Sequence, residues 1–373
     1  MNLLARTKTR IRAAAKALGA AVIGALTVGM LRATRYFDPD KTADAFGRIA
    51  RLIGPLLHEQ KIGRANLMAA FPEKSREEID TILAGVWDNL GRVGAEFAHL
   101  DHIWDYDAAH PSRNGRIEVP QRTVELFFQL KSDNKPALLF ACHFGNWELP
   151  AVAGPAHGVD SAVLYRRPNI ASADRIIERM RQVNMGQLIP AGRDAPLRLA
   201  EALKEGRHVG MLVDQYLTNG VEVIFFGRKT KANPTLARLL RQIECPVHGV
   251  RVVRLPGHRF RGEITEEVQP VRDANGRIDV QGTTQAITSV VEGWIREYPQ
   301  QWLWLHRRWR YSPAGLHLGP EPVDDALCCR IARRDDEQLL QRGVVGIDVL
   351  VVEYLGIEQL LARQIAVGVG QEV

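Results

Sequence analysis

His143 and Glu148 are separated by four residues in the stretch Cys-His-Phe-Gly-Asn-Trp-Glu. An imidazole with a nearby carboxylate is the pair that general-base chemistry uses. Neutral imidazole accepts a proton near pH 7, and the carboxylate fixes its tautomer and stabilises the imidazolium that forms. A hydroxyl attacking a thioester must lose its proton as the bond forms, so this is one reaction such a pair can run. The spacing fits neither regular element. Helix neighbours lie three or four apart, and on a strand the two side chains would point to opposite faces. It fits a strand that ends, turns at Gly145-Asn146 and enters a helix, so that the carboxylate folds back onto the ring. Strand ends are where open α/β sheets hold their ligands. Gly145 precedes the helix start, where backbone amides could hold an oxyanion. On spacing alone, a structural histidine satisfied by backbone partners is the commoner case.

Other chemistries find less support. The remaining histidines form no ligand-spaced cluster, so no metal is expected. A serine hydrolase would carry Gly-x-Ser-x-Gly, which is absent. The four cysteines, Cys142, Cys245, Cys328 and Cys329, include no Cys-x-x-Cys pair, so neither a zinc knuckle nor a disulfide framework is expected, and a reducing compartment fits best. Cys142 reads as a small buried neighbour whose apolar strand raises its pKa. No cofactor is called for.

The elements that must position the pair follow from hydropathy. Residues 136–142 and 208–213 are continuous apolar runs of buried-strand type, the second closed by Asp214. Residues 161–165, 246–254 and 259–267 are further strands, the last two joined by a turn at Pro256-Gly257. Helical spacing covers 38–60, 76–100, 175–183, 196–205 and 283–298, with Ser75 as an N-cap. Strands alternating with helices predict an α/β fold with a mostly parallel central sheet flanked by helices.

The net charge of +6 favours anionic partners. Five basic residues lie within the first 16, an apolar run spans 17–31, and Arg32 and Arg35 follow. No Ala-x-Ala site follows the run, so a cleaved signal peptide fits less well than a membrane-attached helix, either spanning or lying among headgroups. The chain divides into a membrane-anchoring segment at 1–35, a catalytic domain at 36–317 and an appendage of unassigned role at 318–373.

His143-Phe-Gly-Asn-Trp-Glu148 resembles the His-x4-Asp/Glu motif of the lysophospholipid-type acyltransferase superfamily, and in particular the lipid A biosynthesis lauroyl/myristoyl acyltransferases. The resemblance extends in order through Arg64-Ala-Asn-Leu-Met-Ala-Ala-Phe-Pro-Glu, Trp87-Asp-Asn-Leu-Gly-Arg with Glu96, Tyr165-Arg-Arg-Pro-Asn, Asp214-Gln215, Phe225-Phe-Gly-Arg228 and Trp302-Leu-Trp-Leu-His-Arg-Arg-Trp309. It covers residues from about 15 to 312. Cys142 stands where many superfamily members have Asn, which narrows the likeness to the lipid A branch. The resemblance implies a glycerolipid-acyltransferase-like fold with an N-terminal membrane-associated helix. It implies transfer of a fatty acyl chain from acyl carrier protein to a hydroxyl of a lipid A precursor, at the cytoplasmic face of the inner membrane. His143 would be the base and Glu148 its partner.

The remaining residues are weighed beside that expectation. Arg166 and Arg167 clamp a phosphate or polarise a thioester carbonyl, or form a solvated loop. Asp214 orients a site arginine or the acceptor hydroxyl, or caps a turn. Arg228 marks the mouth of an acyl groove or a turn after core phenylalanines. Trp302, Trp304 and Trp309, interleaved with arginines, read as a membrane interface with anionic lipid. The same composition can stack nucleic-acid bases, but the apolar basic N-terminus favours the membrane and no nucleic acid. A lysophospholipid or other glycolipid acceptor, and a non-catalytic lipid-binding module, remain as alternatives at this point.

Overall fold

The computed structural model describes residues 28–107, 110, 115–167 and 171–309. Most of the anchoring segment expected at 1–35, and the whole appendage expected at 318–373, lie outside these residues. Among the described residues no helix is long and apolar enough to cross a membrane.

Among the helices that lead into the sheet are α1 (Pro39–Ile53), α2 (His58–Ala70) and α3 (Arg76–Glu96). Asp38 caps α1 by accepting from Lys41 N, and Pro39 is tolerated because its missing N–H falls where no helical partner exists. The single helix expected over 38–60 thus divides at a short 3-10 turn, Gly54–Leu56. Ser75 caps α3 in a capping box. Its hydroxyl accepts from Glu78 N at 3.2 Å, while the Glu78 carboxylate accepts from Ser75 N at 2.8 Å.

The remaining elements are β1 (Ile117–Glu118), α4 (Gln121–Ser132), β2 (Leu138–Ala141), α5 (Leu149–Ala156), β3 (Ser161–Tyr165), α6 (Ala171–Asn184), β4 (Gln187–Pro190), α7 (Ala195–Lys204), β5 (His208–Leu212), β6 (Val221–Phe225), β7 (Arg228–Ala232), α8 (Thr235–Gln242), β8 (Val247–Leu255), β9 (Arg259–Ile264) and α9 (Val280–Glu297). The sheet order is β1-β9-β8-β2-β5-β3-β4, with β8–β9 antiparallel and its other neighbours parallel. The mostly parallel α/β expectation holds. A parallel strand with neighbours on both sides is buried on both faces, which is why β2 reads as an unbroken apolar run.

Helices α7, α8 and α9 cover one face, where Phe140 of β2 stacks on Trp294 of α9 at 5.8 Å. Helices α4 and α5 lie over the other. Strands β6 and β7 form a separate hairpin. Its turn residues Phe226 and Gly227 are left-handed, with φ 51° and 70°. Phe225 and Phe226 are buried, as expected of core residues.

Candidate active site

His143 stands just beyond β2, and Asp214 just beyond β5. The register pairs Ala141 with Leu212, so the two residues leave the sheet side by side. The Asp214 carboxylate accepts from the His143 backbone N–H at 3.0 Å and faces Nδ1 of the ring at 2.9 Å. Trp302 Nε1 donates to the same carboxylate at 2.7 Å. Against a fully buried carboxylate, Nδ1 is the protonated nitrogen, which puts the lone pair on Nε2. Burial alone would push the Asp214 carboxyl up. The charge of His143 and its hydrogen bond outweigh burial and, with His306, hold it well below the usual carboxylate range.

Glu148, expected to be the ring's partner, is engaged elsewhere. It is the N-cap residue of α5. Its carboxylate accepts from Arg181 of α6 twice, from Nε at 3.1 Å and from Nη2 at 2.6 Å. The Arg181 guanidinium also lies 5.5 Å from the centre of the Phe97 ring. The carboxylate on Nδ1 is therefore Asp214, and Glu148 fixes an arginine. Arg181 escapes notice in the sequence because nothing separates it from the other charges of an amphipathic helix. Asp214 leaves a trace: like His143, it closes a buried apolar strand.

The loop carrying His143 rests on a buried polar network. Arg254 forms an ion pair with Glu96 through both terminal nitrogens and donates from Nε to Asn89 Oδ1 at 2.8 Å. Asn146 Nδ2 donates to Glu96 at 2.8 Å, and Asn89 Nδ2 donates to Gly145 O at 3.0 Å. Gly145 itself has φ +56°, and a Cβ there would lie 1.9 Å from Val252 O. Its amide donates to Gln301 O at 2.9 Å. The oxyanion role expected of Gly145 is thereby corrected. Its N–H is already used, and the residue is glycine because the turn must be left-handed and pressed against β8.

The Trp-rich block is also corrected. Trp302, Trp304 and Trp309 are buried, as is Arg308, rather than presented to lipid. Leu303 N donates to His143 O at 3.0 Å, and Trp302 pairs with Phe144 in an isolated bridge, so the segment is held against the backbone of the His143 loop. Asn66 donates to the carbonyls of Trp304 and His306, both at 2.7 Å. Composition alone cannot tell a membrane belt from a buried aromatic cluster, since both combine broad rings with guanidinium.

In front of the histidine lies a cavity of about 460 Å³, between the sheet and the α4–α5 layer. Its walls are mostly apolar, including Val93, Phe97, Phe127, Ala141, Val163 and Leu212. His143, Trp147, Glu148, Tyr165, Arg166, Arg181 and Gln215 contribute the polar and aromatic end. Arg166 therefore joins the site. Arg167 is exposed and does not line the cavity. Arg228 opens β7 beside the hairpin turn and does not line it either, so the structure does not bring it to the site. Cys142 is buried, which pushes its thiol well up.

The sequence profile described as bacterial lipid A biosynthesis acyltransferase matches residues 12–311. Among curated relatives, the lipid A biosynthesis palmitoleoyltransferase of Escherichia coli strain K12 is 25% identical over 277 residues, covering 72% of this chain and 84% of that protein. A lipid A biosynthesis acyltransferase of Shigella flexneri matches with the same identity and coverage. With the profile spanning the sheet, the His143 loop and the Trp-rich block alike, this chain belongs to the bacterial lipid A biosynthesis acyltransferase family and is an acyltransferase.

Proposed function

We propose that this protein transfers a fatty acyl chain from acyl carrier protein to a hydroxyl of a lipid A precursor of the Kdo-lipid IVA type, with His143 as general base. The observation that carries this reading is an imidazole held at Nδ1 by buried Asp214 beside a long apolar cavity. The acyl chain lies in the cavity, where each buried methylene contributes about 0.8 kcal/mol. Nε2 takes the proton of the acceptor hydroxyl as its oxygen attacks the thioester carbonyl. Asp214 stabilises the imidazolium. The tetrahedral intermediate then expels the carrier thiolate, which recovers the proton from Nε2. Glu148 holds Arg181 so that a permanent positive charge faces the developing oxyanion, and Arg166 serves a phosphate of the donor or acceptor.

Attachment to the cytoplasmic face of an anionic inner membrane is part of the same proposal. Tyr36, Phe37, Leu52 and Leu56 are exposed, and Arg48 and Arg51 lie on the same helix as Leu52, α1. The test is purified protein with acyl carrier protein thioesters and a lipid A precursor, read by mass spectrometry. One added acyl chain is expected, with transfer reduced 10²–10⁴-fold, on the order of general-base losses, in His143→Ala. Wild-type transfer by that variant would remove the mechanism.

A further inference from the structure

The end of the cavity remote from His143 is not apolar. Ser161 opens β3 and His208 opens β5, and the two are register partners on adjacent strands, so their side chains share a face. Both line the cavity and both are at least nine-tenths buried. Among the described residues neither Ser161 Oγ nor His208 Nδ1 has a hydrogen-bond partner. His208 Nε2 donates to Leu130 O at 3.1 Å, so Nδ1 carries the lone pair. Burial pushes this imidazole down and keeps it neutral. Two glycines flank the hydroxyl: a Cβ at Gly154 would stand 3.6 Å from Ser161 Oγ and one at Gly186 3.0 Å. One donor-acceptor hydroxyl and one pure acceptor thus lie at the end of a mostly apolar slot. That pair matches an alcohol, which can donate to Nδ1 and accept from Oγ.

We infer that Ser161 and His208 form a polar stop that selects acyl donors bearing a hydroxyl near the far end of the chain. The inference rests on the acyl-cavity reading above. Six residues separate the level of His208 from that of Asp214, which is about 20 Å at strand rise. A hydrocarbon chain advances about 1.3 Å per carbon for bonds near 1.5 Å, so the stop lies roughly 15 carbons from the site. A plain chain reaching that depth leaves both polar atoms unpaired, whereas a hydroxyl there can bond them.

The experiment uses acyl carrier protein thioesters of roughly 12 to 18 carbons, a span bracketing that depth, each with and without a terminal hydroxyl. The readout is the ratio of kcat/KM for the hydroxylated donor to that for the plain donor of equal length. In the wild type the ratio is expected to peak at the length that reaches the stop. In Ser161→Ala/His208→Leu the peak falls about tenfold, the size of an effect from one or two buried hydrogen bonds. The wild-type length series needs no variant and stands even where a variant fails to fold. A ratio that does not change with length, or that survives in a folded double variant, overturns the inference. So does preference for the plain donor at every length, which would leave the pair holding only water. Absence of transfer from every donor removes the acyl-cavity reading itself, and this inference with it.

Discussion

The two sides of the His143 loop are built from opposite materials. Behind it, Asn89, Glu96, Asn146, Arg254 and Gln301 form a buried network of charges and amides. In front lies a slot walled by alanine, valine, leucine and phenylalanine. The polar side has directional bonds and few ways to satisfy them, so it fixes position. The apolar side has no direction and offers only depth and width, so it sets what fits. The proposed transfer needs both: a base held to within a fraction of an ångström, and a wall tolerant of a featureless hydrocarbon.

This contrast can be broken from either side. The largest effect is expected at Asp214→Asn, which leaves shape intact but disturbs the tautomer, with a loss of about 10³-fold in kcat. Glu148→Gln should cost less. The reverse ranking would return the imidazole to Glu148. Arg254→Met leaves Glu96 buried without its cation and should cost about 3–5 kcal/mol of stability by denaturant unfolding. A fully stable variant would show that the network is not what holds the loop.

His306 gives a pH signature to the buried side. Burial pushes its imidazole down to about 4 from an ordinary 6.5. The unfolded chain therefore takes up the proton first. Stability falls as pH drops from about 6.5 towards 4, by roughly 3 kcal/mol in all, and the loss is complete below that. His306→Gln should flatten this slope in thermal unfolding followed across pH. The smallest effect belongs to the slot. Gly210 lines it, and a Cβ there meets Val163 only at 3.9 Å. Gly210→Val should leave stability within about 1 kcal/mol and shift transfer towards shorter chains, read with the same donor series.

Local features of this architecture are legible in the sequence. The unbroken apolar run before His143 identifies a central strand, and Ser75 with Glu78 marks a helix start, because both signals lie within a few residues. What escapes is what the chain brings together from afar. Asp214 is 71 positions from His143, and Arg254 is 158 from Glu96. No periodicity encodes such a pairing; only the strand order does. The Trp-rich block misleads for a different reason: its composition suits two environments, and only its burial in the fold decides between them. Gly145 looks like an amide donor because a turn before a helix often supplies one, yet the Gln301 carbonyl takes that N–H.

Trp302 holds the aspartate that holds the histidine, and it comes 88 positions after Asp214 in the chain. On the ribosome, where the amino end emerges first, both strands of the site are made well before the indole that locks them. Under the proposed mechanism, a nascent chain halted short of the tryptophan would possess the base without its brace.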